Sequence, residues 1–499
     1  MVVPAPVFLG MDAGLTSTKA VVIDGSGRTL GRAARPAARR EGPGGTSERD
    51  LWEQWSGCVA VIAEVLQAAA VPAHRVDALG VSGHGDGLIL VDEMGAPVRP
   101  GMLSLDTRSR DIVAALESDG RGREMAVETG RPPGSGRPVT LLLWLLANEK
   151  ASVEAARWIL FTKDWIKLRL TGRATTDFSD ASAGLLSRSR PEYARPFLEE
   201  LGLAPVLSKL PELVASAEVA GVISAEAAEA TGLRPGIPVA SGSHDASASV
   251  IGSGALGADA MCLIAGTWSI DVMVSHQGTV SPPAAARGVH GRWFADGART
   301  TLFSSSPSGA PLLDEWLELV PARLGTDKDL LAGLLGRQYR EGGPGHLPTV
   351  VPSVRGLGPS QVSGAMVLGL DPAHGPAAVA AALAEGIVFR HRLGYELIGG
   401  EVPIAEVRTT GGLSRSDSWA QLLADALGTE VVRPVEHAAG AAGAAAMAGV
   451  AAGAWPSVDE ASRVVGAAGD IFSPSQGRER GLDERYGRYL SGLARLEAF

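Results

Sequence analysis

The sequence predicts an α/β protein with two domains of similar topology that face each other across a central cleft. Residues 8 to about 32 read as strand, turn, strand, turn and a third short strand, before a helix and a buried strand. The opening stretch FLGMDAGLTSTKAVVID is echoed about 250 residues later by CLIAGTWSIDVMVS, and both are apolar strand pairs around a turn of glycine and hydroxyl residues. We therefore expect domains at residues 1–248 and 249–499, with their boundary near residues 245–254.

The remaining elements follow in order along the chain. Residues 49–70 place apolar side chains at helical spacing, and VDALGVSGHGDGLILVDEMGAPV reads as a buried strand, a glycine-rich turn and a hairpin. The middle of the chain predicts helices in PVTLLLWLLANEK, AARWILFTKDWIKLRLTG and RPFLEELG. Near residue 237 the pattern restarts, because IPVASGSHDASASVIGSGA reads as a strand, a small-residue turn and a helix.

Composition indicates a soluble globular protein. The chain has 499 residues, of which 45% are apolar and 20% charged, so it can build two or three full cores. Its formal net charge is −10 and it has no long basic run, which argues against a nucleic-acid surface. Cys58 and Cys262 lie far apart in apolar strings, so we expect buried thiols rather than a disulfide or a metal site.

No targeting or membrane-spanning segment is predicted. The N-terminal MVVPAPVFLG lacks the basic region of a signal peptide. The run VTLLLWLLA is too short to span a bilayer, and AAGAAGAAAMAGVAAGA is too weakly hydrophobic. We expect a cytoplasmic protein without a membrane partner.

The turn of the first strand pair is rich in small donors. Thr16, Ser17 and Thr18 precede Lys19, and Asp12 lies near the end of the first strand. Consecutive N–H groups and hydroxyls form an anion-binding nest, whereas a carboxylate beside it repels phosphate unless a cation bridges the two. The pattern therefore indicates a phosphate site with Mg²⁺, and a tight hairpin with internally bonded hydroxyls is the alternative.

Two further segments carry candidate chemistry. In SGSHDAS, Asp245 ends a strand and opens a helix, where it could cap the helix or accept a proton from a substrate hydroxyl. Its neighbour His244 points the opposite way on extended backbone, so we interpret His244 as structural. In GTWS, Thr267 would be the donor of a second phosphate clamp, and an ordinary hairpin turn is the alternative.

A glycine pair and a polar set complete the candidates. In RTTGGLSRSDSWAQLLADALGTEV a Gly-Gly turn would let a flat base lie on the backbone, while Ser414 with Asp417 resembles a capping box for the following helix. His84, Asp86, Asp106 and Arg108 stand at strand ends and turns, where carboxylates and arginine bind sugar hydroxyls. From spacing alone, a hairpin turn and a solvated salt bridge are the favoured interpretation of those four.

Taken in order, these segments resemble the FGGY carbohydrate kinases of the actin-like ATPase superfamily over about residues 7–455. The matching motifs are GMDAGLTSTKAVVID and GTWS for phosphate, TDFSDAS, GSHDA for catalysis, and TTGGLSRSDSWAQLLADALG for adenosine. The resemblance implies two ribonuclease H-like (actin-like ATPase) domains around a central cleft. It also implies a phosphotransferase that acts on an alcohol group, uses ATP and Mg²⁺, and closes its domains over the substrate.

The resemblance also implies roles for individual residues. Asp245 would be the general base, and Asp12 and Asp245 would hold the metal. The implied ATP contacts are Gly14, Thr16, Ser17, Lys19, Gly266, Thr267, Gly411, Gly412 and Ser416. The implied substrate contacts are His84, Gly85, Asp86, Ser104, Asp106, Arg108 and Asp245.

Departures from the family pattern bear on the substrate. The turn GHGDGL looks like that of erythritol kinases, whereas LSLDTRS and RPVTLLLWL look like L-xylulose kinases. We expect a ketopentose such as L-xylulose, with a polyol or, because of Arg108, a keto-sugar acid as alternatives. A non-catalytic actin-like ATPase or binding module is the competing class, but it would not need the acid of GSHDAS. A homodimer stays open.

Overall fold

The computed structural model describes residues 5–257, 259–276, 280–310, 312–313, 316, 347–352, 365–372, 374–477 and 479–497. Within these residues, the two largest sheets have seven strands each. They arise from the two halves of the chain and enclose a shared core between them. No helix in the described part of the chain is long and apolar enough to cross a membrane.

The first sheet begins with the predicted meander. Its strands, in spatial order, are Val219–Val222, Pro238–Ala240, Ala78–Gly83, Val7–Ala13, Ser17–Asp24 and Thr29–Pro36, and Ser243–His244 also pairs with Ala78–Gly83. The last three pair antiparallel, and Ala78–Gly83 joins the central strand in parallel. A parallel pair needs a crossover, which the helix Leu51–Ala69 supplies on one face of the sheet.

The second sheet repeats that pairing pattern. Its strands, in spatial order, are His290–Trp293, Thr300–Ser306, Ser269–Ser275, Ala260–Ala265, Glu406–Thr410, Val431–Pro434 and Ala468–Phe472. From the third meander strand to the far edge, both sheets pair antiparallel, antiparallel, parallel, parallel and antiparallel. The predicted echo of topology is therefore confirmed, and the second sheet adds one outer strand.

Short elements surround the two sheets. The smaller strand pairings are Arg40–Gly42 with Thr46–Arg49 and Gly101–Met102, Ile89–Val91 with Trp158–Leu160, Thr175–Thr176 with Glu212–Leu213, and Thr349–Val351 with Met366–Leu368. The described α-helices are Leu51–Ala69, Arg110–Ser118, Arg121–Thr129, Pro138–Asn148, Lys150–Ala155, Thr162–Thr171, Phe178–Ala181, Arg195–Glu200, Ala225–Thr231, Asp245–Ser253, Pro282–Ala286, Pro376–Gly399, Asp417–Leu427, Ala439–Ala451, Val458–Val465 and Glu479–Glu497. The 3₁₀ turns are Pro43–Gly45, Ala73–Arg75, Ala204–Lys209 and Leu413–Arg415.

Two helices pack between the sheets. Ala439–Ala451 lies on the first sheet although it comes from the second half of the chain, and Asp245–Ser253 lies on the second sheet. A Cβ on Gly10 would stand 1.9 Å from the backbone oxygen of Ala441, and a Cβ on Gly443 would stand 1.9 Å from a backbone oxygen of the facing helix. The small residues of the Ala/Gly-rich segment therefore allow the helix to pack closely on the sheet and on the facing helix.

The predicted helix at residues 155–172 is wrong. Residues 155–172 do not form one helix, because Trp158–Leu160 is a strand and only Thr162–Thr171 is helical in the second part of that segment. The strand pairs antiparallel with Ile89–Val91, and this tertiary pairing outweighs local helix propensity.

The cysteine prediction is confirmed, since Cys58 and Cys262 are buried free thiols.

The capping prediction for the helix Asp417–Leu427 is also wrong. Ser416, not Ser414, is its N-cap and accepts a hydrogen bond from the Trp419 amide at 3.4 Å. Ser414 lies in a 3₁₀ turn and donates to the backbone oxygen of Gly411 at 2.8 Å. The intervening turn moves the start of the helix past Ser414.

Candidate active site

A cleft of about 770 Å³ is lined by residues from both halves of the chain. Asp12 reaches it from the end of a central strand of the first sheet, and Asp245 from the start of a helix. The hairpin turns at residues 14–17 and 266–268 also line it. In α/β proteins, the ends of central parallel strands are the usual location of ligand sites.

Asp12 is held between two neighbouring strands. Lys19 is its cross-strand partner in the antiparallel pair, and Ser82 is its partner in the parallel pair. The Ser82 hydroxyl donates to Asp12 Oδ1 at 2.9 Å. Burial raises the pKa of Asp12, and the Lys19 charge and the Ser82 hydrogen bond offset this only in part. A cation bound beside Asp12 would relieve the remaining cost of its buried charge.

Asp245 lines the cleft, and its neighbour His244 caps the helix. The predicted opposite orientation of the two side chains is wrong, because His244 Nδ1 lies 3.4 Å from Asp245 Oδ1. The Ala246 amide donates to His244 Nδ1 at 3.2 Å, so His244 fills the cap position that Asp245 could have taken. The Asp245 side chain is 31% exposed. Burial and then the charge of Asp12 raise the pKa of Asp245 to about 7. Such a carboxylate can accept a proton near neutral pH.

The two hydroxyl-bearing turns meet in space. The Thr16 and Thr267 hydroxyl oxygens are 3.2 Å apart, although 251 positions separate them in the sequence. Within the first turn the Gly14 amide donates to the Ser17 oxygen at 3.1 Å, and in the second the Gly266 amide donates to the Trp268 oxygen at 3.1 Å. Small donors from both halves therefore surround one end of the cleft.

The glycine pair also lines the cleft. Gly411 has φ of 101°, and a Cβ there would stand 2.4 Å from the Ala265 oxygen, so only glycine fits. Gly412 follows it and leaves the backbone uncovered on the cleft side. Ser416 does not line the cleft, because its hydroxyl caps the next helix.

Part of the predicted substrate set lines the same cleft. His84, Gly85, Asp86 and Ser104 all line it. Burial lowers the pKa of His84 to about 3, so this imidazole is neutral, and its Nε2 lies 2.9 Å from the Thr162 hydroxyl. Asp86 has φ of 57°, an uncommon conformation for a residue other than glycine.

Asp86 is ionised by its neighbours. Burial alone would raise the pKa of Asp86, but the charges of Arg131, Arg292 and Arg137 outweigh it and hold the pKa below its ordinary value. The carboxylate Oδ2 lies 3.7 Å from the Arg131 guanidinium, and Oδ1 has no hydrogen-bond partner among the described residues. Asp86 is thus a half-buried carboxylate with a free acceptor atom in the cleft.

Asp106 and Arg108 are not among the residues that line the cleft. Arg108 donates to both oxygens of Asp106, and the Ser47 amide donates to Asp106 Oδ2 at 2.9 Å. Arg108 also pairs with Glu48. This geometry uses both side chains in an internal ion pair, so the sugar-binding hypothesis for Asp106 and Arg108 has no support here.

The sequence analysis missed three arginines of the cleft. Arg131 and Arg137 flank the segment RPPGSGR before the helix Pro138–Asn148, and Arg292 belongs to the outer strand of the second sheet. The arginine-rich composition of RPPGSGR was a weak local signal. The proximity of this segment to Arg292 depends on tertiary structure, so no local sequence pattern predicts it.

The helix Ala439–Ala451 adds a further missed feature. A Cβ on Gly440 would stand 2.9 Å from Asp12 Oδ2, so the start of this helix touches the candidate metal ligand. The N-terminus of a helix favours anions through its free amides. In the described part of the chain, no group of three or more His, Cys, Asp or Glu side chains could hold a metal. Two carboxylates suit Mg²⁺ instead, since it keeps water and phosphate oxygens as its other ligands.

The chain is similar to known proteins along most of its length. Residues 7–252 match the N-terminal domain, and residues 261–452 the C-terminal domain, of the FGGY family of carbohydrate kinases. It is 29% identical to L-xylulose/3-keto-L-gulonate kinase of Escherichia coli (strain K12), covering 99% of this chain and 97% of that protein. It is 30% identical to xylulose kinase of Streptomyces rubiginosus, covering 98% and 97%. A solved structure of a xyloylose kinase from Brucella ovis superposes with a TM-score of 0.83 at 25% identity and 99% coverage of both chains.

Proposed function

Because the chain belongs to the FGGY family of carbohydrate kinases, we propose that it transfers the γ-phosphate of ATP to a hydroxyl group of a small ketose. One observation carries the proposal. Asp12 and Asp245 line the same cleft, close enough for the charge of Asp12 to raise the pKa of Asp245. Two acids beside two donor-rich turns suit phosphoryl transfer, which depends on positioning and on neutralising charge.

Asp245 is the general base in this proposal. It accepts the proton of the attacking hydroxyl as the oxygen approaches the γ-phosphate, and a pKa of about 7 suits that transfer at neutral pH. His84 and Asp86, which line the cleft, would form its acceptor end, where a neutral imidazole and a carboxylate can bind sugar hydroxyls.

Asp12 and Asp245 would hold the Mg²⁺ ion that accompanies ATP. The ion would neutralise phosphate charge as the new bond forms. Asp12 keeps one oxygen on the Ser82 hydroxyl, which orients the carboxylate for this role. The fit rests on the two carboxylates and on the space that Gly440 leaves beside Asp12.

The nucleotide would lie along the other end of the cleft. Thr16, Ser17 and Lys19 of the first turn and Gly266 and Thr267 of the second would bind its phosphates. The backbone at Gly411 and Gly412 would receive the adenosine. We further propose that the halves, residues 1–248 and 249–499, move together over the ligands, since closure excludes water that would otherwise attack ATP.

The relatives favour a ketose over other acceptors. The Escherichia coli and Streptomyces proteins described above are named for L-xylulose, 3-keto-L-gulonate and xylulose. An ATP-consumption assay across pentuloses, hexuloses, keto-sugar acids and tetritols tests the proposal. We expect at least one ketose to be phosphorylated much faster than ATP is hydrolysed without an acceptor. Activity restricted to tetritols would favour the polyol alternative, and no acceptor-dependent activity would contradict the proposal.

A further inference from the structure

Three arginines, Arg131, Arg137 and Arg292, line the cleft around Asp86, and two of them have unused hydrogen-bond donors. Arg131 is 3% and Arg292 is 7% exposed. Among the described residues, Nε and Nη1 of Arg131 and Nε of Arg292 have no hydrogen-bond partner. Arg137 is anchored by a hydrogen bond to the Pro132 oxygen. Buried guanidinium donors without partners are costly, so their presence points to a ligand that satisfies them.

The charge around these arginines is not balanced. The surrounding histidines are neutral, because burial lowers the pKa of each of them; they are His84, His244 and His290. Asp86 is the nearest carboxylate to Arg131, at 3.7 Å, which is too long for a hydrogen bond. Asp180, which also acts on Arg292, is paired with Lys163 at 3.0 Å, and Asp245 forms no ion pair with an arginine among the described residues.

The remaining neighbours do not neutralise the positive charge of the arginines. Glu117 lines the cleft but is exposed at its rim. The Arg292 guanidinium packs 4.4 Å from the centre of the Phe303 ring and makes no ion pair with a described residue. Asp86 is therefore the one carboxylate, among the described residues of the cleft, that forms an ion pair with any of the three arginines.

Contacts link Arg292 to Asp245: Arg292 packs on the Phe303 ring, this ring also contacts the His244 ring at 6.2 Å between centres, and His244 Nδ1 lies 3.4 Å from Asp245 Oδ1. Lys19 is the charge that acts most on Asp12, at the phosphate end. The charges of Asp12, Arg292 and Asp86 all act on Asp245. Asp12, Asp245 and the arginines all line one cleft, so a sugar that presents a hydroxyl to Asp245 can place its other groups near the arginines.

We propose that the preferred acceptor is a ketose that carries a carboxylate, a keto-sugar acid, and that Arg131 and Arg292 bind this carboxylate. The inference rests on the proposed kinase activity and narrows its substrate. A carboxylate would accept the unused guanidinium hydrogen bonds and supply the missing negative charge, and such charge-assisted bonds are about twice as strong as neutral ones. A neutral pentulose would leave those donors buried and unpaired.

The test compares two acceptors that differ by one carboxyl group, 3-keto-L-gulonate and L-xylulose. We expect wild-type kcat/KM to be at least about 10-fold higher for the acid. Arg131→Gln and Arg292→Gln should each lower kcat/KM for the acid by about 10- to 100-fold and for L-xylulose by less than about 3-fold. Arg131→Lys, which keeps the charge, should recover part of the activity toward the acid.

Arg110→Gln is the matched control, since Arg110 lines the same cleft but is 56% exposed at its side chain. It removes one positive charge and should change both acceptors by less than about 3-fold. Without ATP, the acid should raise the melting temperature of the wild type and not that of Arg131→Gln or Arg292→Gln. This binding measurement does not depend on turnover.

Three results would overturn the inference. A wild-type kcat/KM for L-xylulose equal to or above that for the acid would leave the kinase proposal intact and exclude a keto-sugar acid as the preferred acceptor. An equal loss for both acceptors, with a raised KM for ATP, would assign the arginines to the γ-phosphate. Turnover of neither acceptor, nor of any other ketose, would overturn the kinase proposal together with this inference.

Discussion

Asp245 and Asp12 carry like charges into one enclosed cleft, and each is altered by that arrangement. Both pKa values are raised by burial, and the charge of Asp12 adds to the effect on Asp245. A base with a high pKa holds a proton well but is ionised only near or above neutral pH. A metal between the two acids would favour their ionised forms, so binding of metal and readiness of the base would be linked.

Replacement of the base separates chemistry from binding. Asp245→Asn keeps the shape of the side chain and removes its basicity, so we expect kcat to fall by about 10²- to 10⁴-fold with ATP affinity nearly unchanged. Steady-state kinetics and calorimetric titration of ATP measure the two quantities. A variant with near-normal turnover would exclude Asp245 as the base.

The same substitution should change the pH dependence of stability. The folded protein raises the pKa of Asp245 to about 7, above its ordinary 3.8, so the contribution of this group is fully present below about pH 4 and is lost as pH rises through about 7. Asp245→Asn lacks that loss. Its stability relative to the wild type should therefore increase between pH 4 and 7, by about 1–2 kcal/mol once the partial exposure of Asp245 is allowed for, and stay constant above pH 8.

Thermal unfolding without nucleotide or Mg²⁺, at several pH values between 4 and 8.5, measures this difference. A gap between the two proteins that does not vary with pH would mean that Asp245 titrates alike in the folded and unfolded chain.

At the scale of single elements, two helices decide how closely the sheets approach. Asp245–Ser253 presents the candidate base at its first residue, and Ala439–Ala451 presents Gly440 to Asp12. Their mutual contact is made by backbone and small side chains, since Gly443 has no room for a Cβ. The spacing of the two acids therefore depends on glycines away from the chemistry.

A matched pair of glycine substitutions tests this contact. Gly443→Ala would place a methyl group 1.9 Å from the Ala248 oxygen, so we expect a loss of stability of about 1–3 kcal/mol. Gly57 also lies in a helix, Leu51–Ala69, but has open space around it. Gly57→Ala should raise stability by about 0.5–1 kcal/mol. Urea denaturation measures both, and equal effects would show that the helix contact can relax.

At the scale of the whole molecule, each half depends on helices that cross the middle. The first sheet is covered on one face by Leu51–Ala69 and on the other by Ala439–Ala451 from the second half. The second sheet is covered by Pro376–Gly399 and by Asp245–Ser253. Apolar residues of both sheets share one core with the two central helices. The molecule has two sheets of like topology but a common interior.

This arrangement predicts that residues 1–248 do not fold alone. Without Ala439–Ala451 the fragment would expose an apolar sheet face, which favours aggregation. The full chain should unfold in a single transition, whereas the fragment should show no cooperative transition in circular dichroism. Co-expression with residues 249–499 should restore a soluble complex. A fragment that folds alone would show that the first sheet does not require the helix.

Local sequence patterns predicted the elements that depend on nearby residues. The meander, both turns and the helix that starts near Asp245 follow from alternating apolar strands, glycine and hydroxyl clusters and small residues. Spacing alone favoured a salt bridge between Asp106 and Arg108, and the structure has this ion pair; the substrate role came from the family resemblance. Arg292 was missed because its meeting with Arg131 depends on the packing of distant segments.

The contact between the Thr16 and Thr267 hydroxyls bears on the order of events at the cleft. These two oxygens, 3.2 Å apart, touch where a triphosphate would bind both turns. A nucleotide that binds both turns would have to separate these two hydroxyl groups, so their hydrogen bond competes with nucleotide binding. A single neutral hydrogen bond contributes only about 1 kcal/mol, so thermal motion alone would release it. We therefore expect ATP to bind without an earlier conformational change that breaks this hydrogen bond.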